Sequence, residues 1–105
     1  MTDATFRKVV ARTLDGLFDQ LDCLDTDELD VRHNEGALHA AVEGQDPLIL
    51  SQQVPLRELW LSANLRAWHF RFDGVRWLER ESGENLNQVL SALFSARLGT
   101  EVRLG

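Results

Sequence analysis

Between Pro47 and Glu79 the chain alternates apolar and polar residues with a period of two, and no other feature restricts the fold as much. Leu48 and Leu50 alternate with Ile49, Ser51 and Gln53; Leu59 and Leu61 flank Trp60; Trp68, Phe70 and Phe72 alternate with His69, Arg71 and Asp73. Successive side chains of a strand point to opposite faces, so this pattern describes strands with one buried and one wet face. Turn signals break the stretch into four short runs. Connections of a few residues favour antiparallel neighbours, because a parallel crossover needs about a dozen residues or more. The stretch reads as a meander of four strands.

Two further strands precede it. Leu29, Val31 and His33 alternate with Glu28, Asp30 and Arg32, and Leu38, Ala40 and Val42 alternate with His39 and Ala41. Asn34, Glu35 and Gly36 form the turn between them, and Gly44 to Pro47 the next. Helices are expected at both ends. Phe6, Val9, Val10, Thr13, Leu14, Leu17, Leu21 and Leu24 recur at steps of three and four, a single apolar stripe. Thr2 or Asp3 supplies the cap, and the helix is expected to end near Leu24. Leu86, Val89, Leu90, Leu93, Phe94 and Leu98 give a second stripe, with Asn85 as cap and Gly99 as stop. The predicted fold is α+β, a two-layer sandwich: a six-stranded antiparallel sheet with the N- and C-terminal helices packed on one face. At 105 residues the chain is expected to form a single domain, 1–105.

Charge is unevenly spread. Residues 1–46 carry 11 acids against 4 Lys and Arg, whereas residues 47–105 carry 6 acids against 7 Arg. Seven carboxylates lie between Asp15 and Asp30 with no Lys or Arg among them. Arg7, Lys8 and Arg12 occupy the first half of the N-terminal helix and the acids the second, the reverse of what the helix dipole prefers. That arrangement costs stability and hints at a use for the acids. The net charge of -6 argues against nucleic acid as a partner. No apolar run approaches the roughly 20 residues of a membrane span, and the first residues lack the apolar core of a signal peptide. With one cysteine, Cys23, no internal disulfide is expected. A reducing, cytoplasmic setting follows, with no membrane partner.

Two groups of residues are candidates for function. Clustered exposed carboxylates suit a hard cation such as iron, manganese, magnesium or calcium. Spread along a surface they cannot wrap an ion, so binding should be weak and salt-sensitive. The competing reading is a solvated acidic face. The second candidate is Trp60. Leu59 and Leu61 take the buried face, which places Trp60 outside beside Glu58 and Ser62, with Ser51 and Gln53 on the neighbouring strand. A large exposed aromatic among polar neighbours is suited to anchoring a protein interface. The competing reading is a Trp covered by the stem of Arg57, Arg66 or Arg71. His33, His39 and His69 lack zinc-ligand spacing, and the acids around Cys23 oppose thiolate formation. No catalytic motif stands out, so the chain is not expected to be an enzyme.

At this point the sequence resembles the frataxins. Gln53, Pro55 and Trp60 stand at the spacing of the frataxin signature strand. Trp68 to Phe70, Gly74 to Trp77 and Ser82 to Glu84 resemble the segment that follows in bacterial frataxins of the CyaY type. Departures are Phe18 and Cys23 where acids are common, Ser51 in place of Asn, Arg32 within the acidic edge, and Arg66 and Ala67 in place of a glycine-rich turn.

The resemblance implies weak surface binding of iron, Fe²⁺ or Fe³⁺, by an acidic ridge of Asp19, Asp22, Asp25, Asp27, Glu28 and Asp30, with Asp3 and Asp15 as additions. It also implies docking on the cysteine desulfurase and scaffold protein of iron–sulfur cluster assembly. The docking face would be Ser51, Gln53, Glu58, Trp60 and Arg71. The expected state is a monomer, with iron-driven oligomerisation left open. The alternative is a metal-independent acidic adaptor that modulates a basic protein partner. A ferroxidase-like activity is a third option, although no Glu-x-x-His pair supports a closed di-iron site.

Overall fold

Thr2 starts the first helix: its hydroxyl accepts the backbone N–H of Thr5 at 3.1 Å, closing one of the four donors that a helix start leaves open. In this computed structural model, which describes all 105 residues, helix α1 runs Asp3–Asp22. Phe6, Val10, Leu14, Leu17 and Leu21 form its buried stripe. It stops slightly before Leu24 because the Leu24 N–H turns back to Leu21 O, which tightens the last turn. Six strands follow: β1 Leu29–Asn34, β2 Ala37–Val42, β3 Leu48–Gln53, β4 Glu58–Ala63, β5 Arg66–Phe72 and β6 Trp77–Glu79. Helix α2, Leu86–Leu98, is capped by the Asn85 side chain and ends at Gly99 in the left-handed conformation.

The strands pair in sequence order, β1-β2-β3-β4-β5-β6, each antiparallel to the next. The fold is thus the expected two-layer α+β sandwich. Leu38, Leu50, Leu61 and Trp68 line up across four strands on the inner face, beneath the helices. Leu59 and Phe70 form a parallel row beside them. These residues belong to a core of 21 buried side chains drawn from both helices and the sheet. Fully burying a Leu or Phe contributes about 1.5–3 kcal/mol, so this row outweighs any surface ion pair. The tail returns to the core: Val102 and Leu104 are buried, and the Leu104 N–H donates to Ser91 Oγ at 2.9 Å.

The alternation concealed one element. Val54–Leu56 forms a single 3-10 turn between β3 and β4, ended by Arg57 at φ 53°. Arg57 then reaches Asp3 at 2.6 Å, tying this connection to the start of α1. Two turns depend on special backbone. Gly36 has φ +73°, the left-handed region that favours glycine, and a Cβ there would also require the flexible Gln52 side chain to move aside. The β4–β5 hairpin turns through Asn64 and Leu65, both left-handed at φ 53° and 59°.

Candidate metal ridge and docking face

The ridge forms where the C-terminal half of α1, the following loop and edge strand β1 come side by side. Asp15, Asp19 and Asp22 are spaced by four and three on a helix whose apolar stripe faces inward, so all three reach solvent. Asp25, Asp27 and Glu28 extend the line through the loop, and Asp30 continues it onto the outer face of β1; all are exposed. Two of the seven have a basic side chain as neighbour. Asp30 pairs with Arg32 at 3.3 Å, and Asp15 Oδ1 lies 3.3 Å from His33 Nδ1. His33 points inward from β1 and also packs against Phe18, with ring centres 5.9 Å apart. The last turn of α1 holds no basic residue, so Asp19 and Asp22 sit against the negative end of the helix dipole.

No three His, Cys, Asp or Glu side chains in the fold form a group that could hold a metal ion. The donors present are carboxylate oxygens, the right chemistry for a hard cation but in an open row rather than a cage. Asp3 does not extend this row. It lies at the other end of α1, engaged with Arg57, which corrects its place as an addition to the ridge.

The outer face of the sheet is built by register. Ser51 stands opposite Trp60 and Trp60 opposite His69; Gln53 stands opposite Glu58 and Glu58 opposite Arg71. Strand alternation puts Trp60 on this face as expected, half-buried rather than free. Its ring meets His69 edge-on at 4.7 Å, and its Nε1 donates to Glu58 Oε1 at 2.9 Å.

Glu58 is the main correction. Expected as a surface contact of the docking face, it has 0% of its surface exposed. Arg71 Nε donates to its Oε2 at 2.8 Å, and Arg80 Nη1 lies 3.3 Å from Oε1. Burial alone would raise the Glu58 pKa, but the hydrogen bonds from Trp60 and Arg71 and the charges of Arg80 and Arg71 more than offset it. The carboxyl is held below its ordinary value. Glu58 therefore positions Trp60 and Arg71 and cannot itself touch a partner. Of the arginines expected to cover Trp60, Arg57 binds Asp3 and Arg66 lies over the Trp68 ring at 4.5 Å; only Arg71 is in the cluster. Arg80 was missed, because it lies past the end of β6 where alternation no longer assigns a face.

A second carboxylate holds the neighbouring loop. Glu79 accepts backbone N–H groups from His69, Glu81 and Ser82 at 2.8–3.0 Å. Its partial burial opposes ionisation, yet these three donors and nearby His69 bring its pKa down to about 2. Cys23 is exposed and free. No helix is long and apolar enough to cross a membrane.

Residues 1–100 match the family model of the frataxin-like domain. The chain is 33% identical over 104 residues to the iron-sulfur cluster assembly protein CyaY of Azotobacter vinelandii, covering 97% of this chain and 94% of that protein. It is 35% identical over 103 residues to the protein of the same name from Pseudomonas fluorescens, covering 96% and 93%. Among solved structures, a frataxin from Psychromonas ingrahamii superposes with a TM-score of 0.91 at 21% identity, over 98% of this chain and 97% of that one. The trimeric frataxin of the yeast Saccharomyces cerevisiae does so with a TM-score of 0.70 at 18% identity, over 90% and 79%. The two structures show the same fold.

Proposed function

Because this chain belongs to the frataxin family, we propose that it is a non-enzymatic accessory protein of iron–sulfur cluster assembly. It works in the cytoplasm as a monomer, holds Fe²⁺ or Fe³⁺ weakly on its acidic ridge as cargo, and docks on the cysteine desulfurase and scaffold protein. The name shared by its curated relatives supports the pathway. The observation that carries the ridge is that Asp19, Asp22, Asp25, Asp27 and Glu28 are all exposed and none is paired with a cation of the protein, whereas most other carboxylates are. Free carboxylates in a row attract a hard cation or a basic surface.

Residue-resolved NMR titration with Fe²⁺, under anaerobic conditions, tests this. Shifts confined to Asp15–Asp30 are expected, and Asp19, Asp22 and Asp25 changed together to Asn should remove most of them while the domain stays folded. Unchanged iron binding in that variant would sink the ridge reading. Light scattering before and after iron addition reads the oligomeric state.

A second reading is a metal-independent adaptor whose acids meet a basic partner. The lack of any convergent three-ligand group favours it. It expects desulfurase binding that weakens with salt and ignores chelators.

A further inference from the structure

The outer face of the sheet lacks the run of free acids that marks the ridge. Its strand positions carry Arg32, His39, His69 and Arg71. Their carboxylates are Asp30, paired with Arg32 at the edge, and Glu58, which is fully buried. The single Glu58 carboxylate serves three donors: Trp60 and Arg80 on Oε1, Arg71 and Arg80 on Oε2. Arg71 and Arg80 share this one carboxylate and Arg80 also faces Glu81, so the charge left facing outward is that of Arg71.

The direction of that charge is fixed by which nitrogen Arg71 uses. It engages Glu58 through Nε alone, and neither Nη group donates to any atom of the protein. The Arg71 side chain is 64% exposed although its anchor is buried. The guanidinium is thus held at its base with its two-pronged end turned outward, the edge that grips a carboxylate in paired hydrogen bonds. Trp60 lies next to it on the same Glu58 carboxylate and offers an aromatic surface beside the prongs. One acid opposes this: Glu81, 83% exposed, lies 3.9 Å from Arg80 Nε. Glu79, also nearby, is consumed by its three backbone donors.

We infer that Arg71, flanked by Trp60 and Arg80 and aligned by Glu58, is a receptor for an Asp or Glu side chain of a protein partner. The inference rests on the reading that this face docks a protein, and adds the chemistry of what it receives. The fold then presents two docking surfaces of different chemistry, an anionic ridge and a sheet face with an exposed guanidinium. A phosphate-bearing polyanion is the less suitable occupant, since the chain as a whole carries a net charge of -6.

Two titrations test this. In the first, acetylated hexaglutamate is added to the full chain at low salt, reading the Arg71 Nε and Trp60 indole N–H signals. Both should shift, and Arg71→Gln should weaken the response about tenfold, Arg71→Lys somewhat less. Glu81→Gln should strengthen it by about two- to threefold. No shift, shifts centred on Arg7, Lys8 and Arg12 instead, or an equal response to inorganic phosphate would overturn it.

In the second, the assembled desulfurase–scaffold complex replaces the peptide. Weaker binding by Arg71→Gln supports the inference. Equal binding by both proteins overturns it while leaving the pathway intact. A complex that ignores the wild-type chain, with the peptide response present, removes the docking reading instead.

Discussion

Trp60 and Glu58 stand two residues apart on β4 and are joined side chain to side chain, Nε1 to Oε1 at 2.9 Å. The bond converts a half-exposed indole into a fixed one. The acceptor is itself sealed beneath it, with 0% of its surface exposed. A strand on the wet face of a sheet thus carries its own small polar core.

Replacing Glu58 with Ala should cost about 1–3 kcal/mol, the range for leaving buried partners unsatisfied. Arg71 and Arg80 remain partly solvated and limit the loss. Urea unfolding measures the stability, and the Trp60 indole N–H resonance should move towards the position of a free indole. Unaltered stability together with an unmoved resonance would contradict the positioning role.

Glu79 predicts a pH dependence. Its folded pKa of about 2 lies below the ordinary 4.5, so the folded state favours the ionised form. The resulting stability is fully present above about pH 4.5 and is lost as pH falls towards about 2. The drop of about 2.5 units at about 1.4 kcal/mol per unit corresponds to about 3.5 kcal/mol, which solvent screening of this partly exposed group reduces to on the order of 2 kcal/mol. Glu79→Gln should flatten the stability profile across that interval. An acid limb as steep as that of the wild type would count against it.

The ridge should be a source of instability. Asp22 lies in the last turn of α1 with no basic neighbour in that turn. Asp22→Asn should therefore raise stability by about 0.3–1 kcal/mol, more at low salt than at high. Thermal unfolding at two ionic strengths checks both the sign and the screening.

Leu65 marks strain at the β4–β5 turn. It is fully exposed, at 102% relative accessibility, and adopts φ 59°, where a branched side chain crowds the backbone. Leu65→Gly should stabilise the fold by about 1 kcal/mol, the relief of the left-handed conformation outweighing the added freedom of the unfolded chain. A lower unfolding midpoint in urea would contradict this.

The sequence by itself determined the layers, the strand order and the acidic character of the ridge. Period two in Leu48–Phe72 and periods of three and four in α1 and α2 are local consequences of backbone geometry, readable without tertiary contacts. The exposure of Asp15, Asp19 and Asp22 followed from the apolar stripe of α1, and that of Asp30 from the alternation along β1.

Only the tertiary structure decided what each side chain meets once it faces a given way. Alternation placed Glu58 outside but could not show that Trp60, Arg71 and Arg80 close over it, since those donors arrive from β4, β5 and the end of β6 at sequence separations of 2, 13 and 22. It likewise could not draw Asp3 to Arg57 or Asp15 to His33, contacts that exist only after α1 is laid along the sheet. Periodicity fixes a side chain's direction; its partners depend on which distant segments the packed core brings into reach.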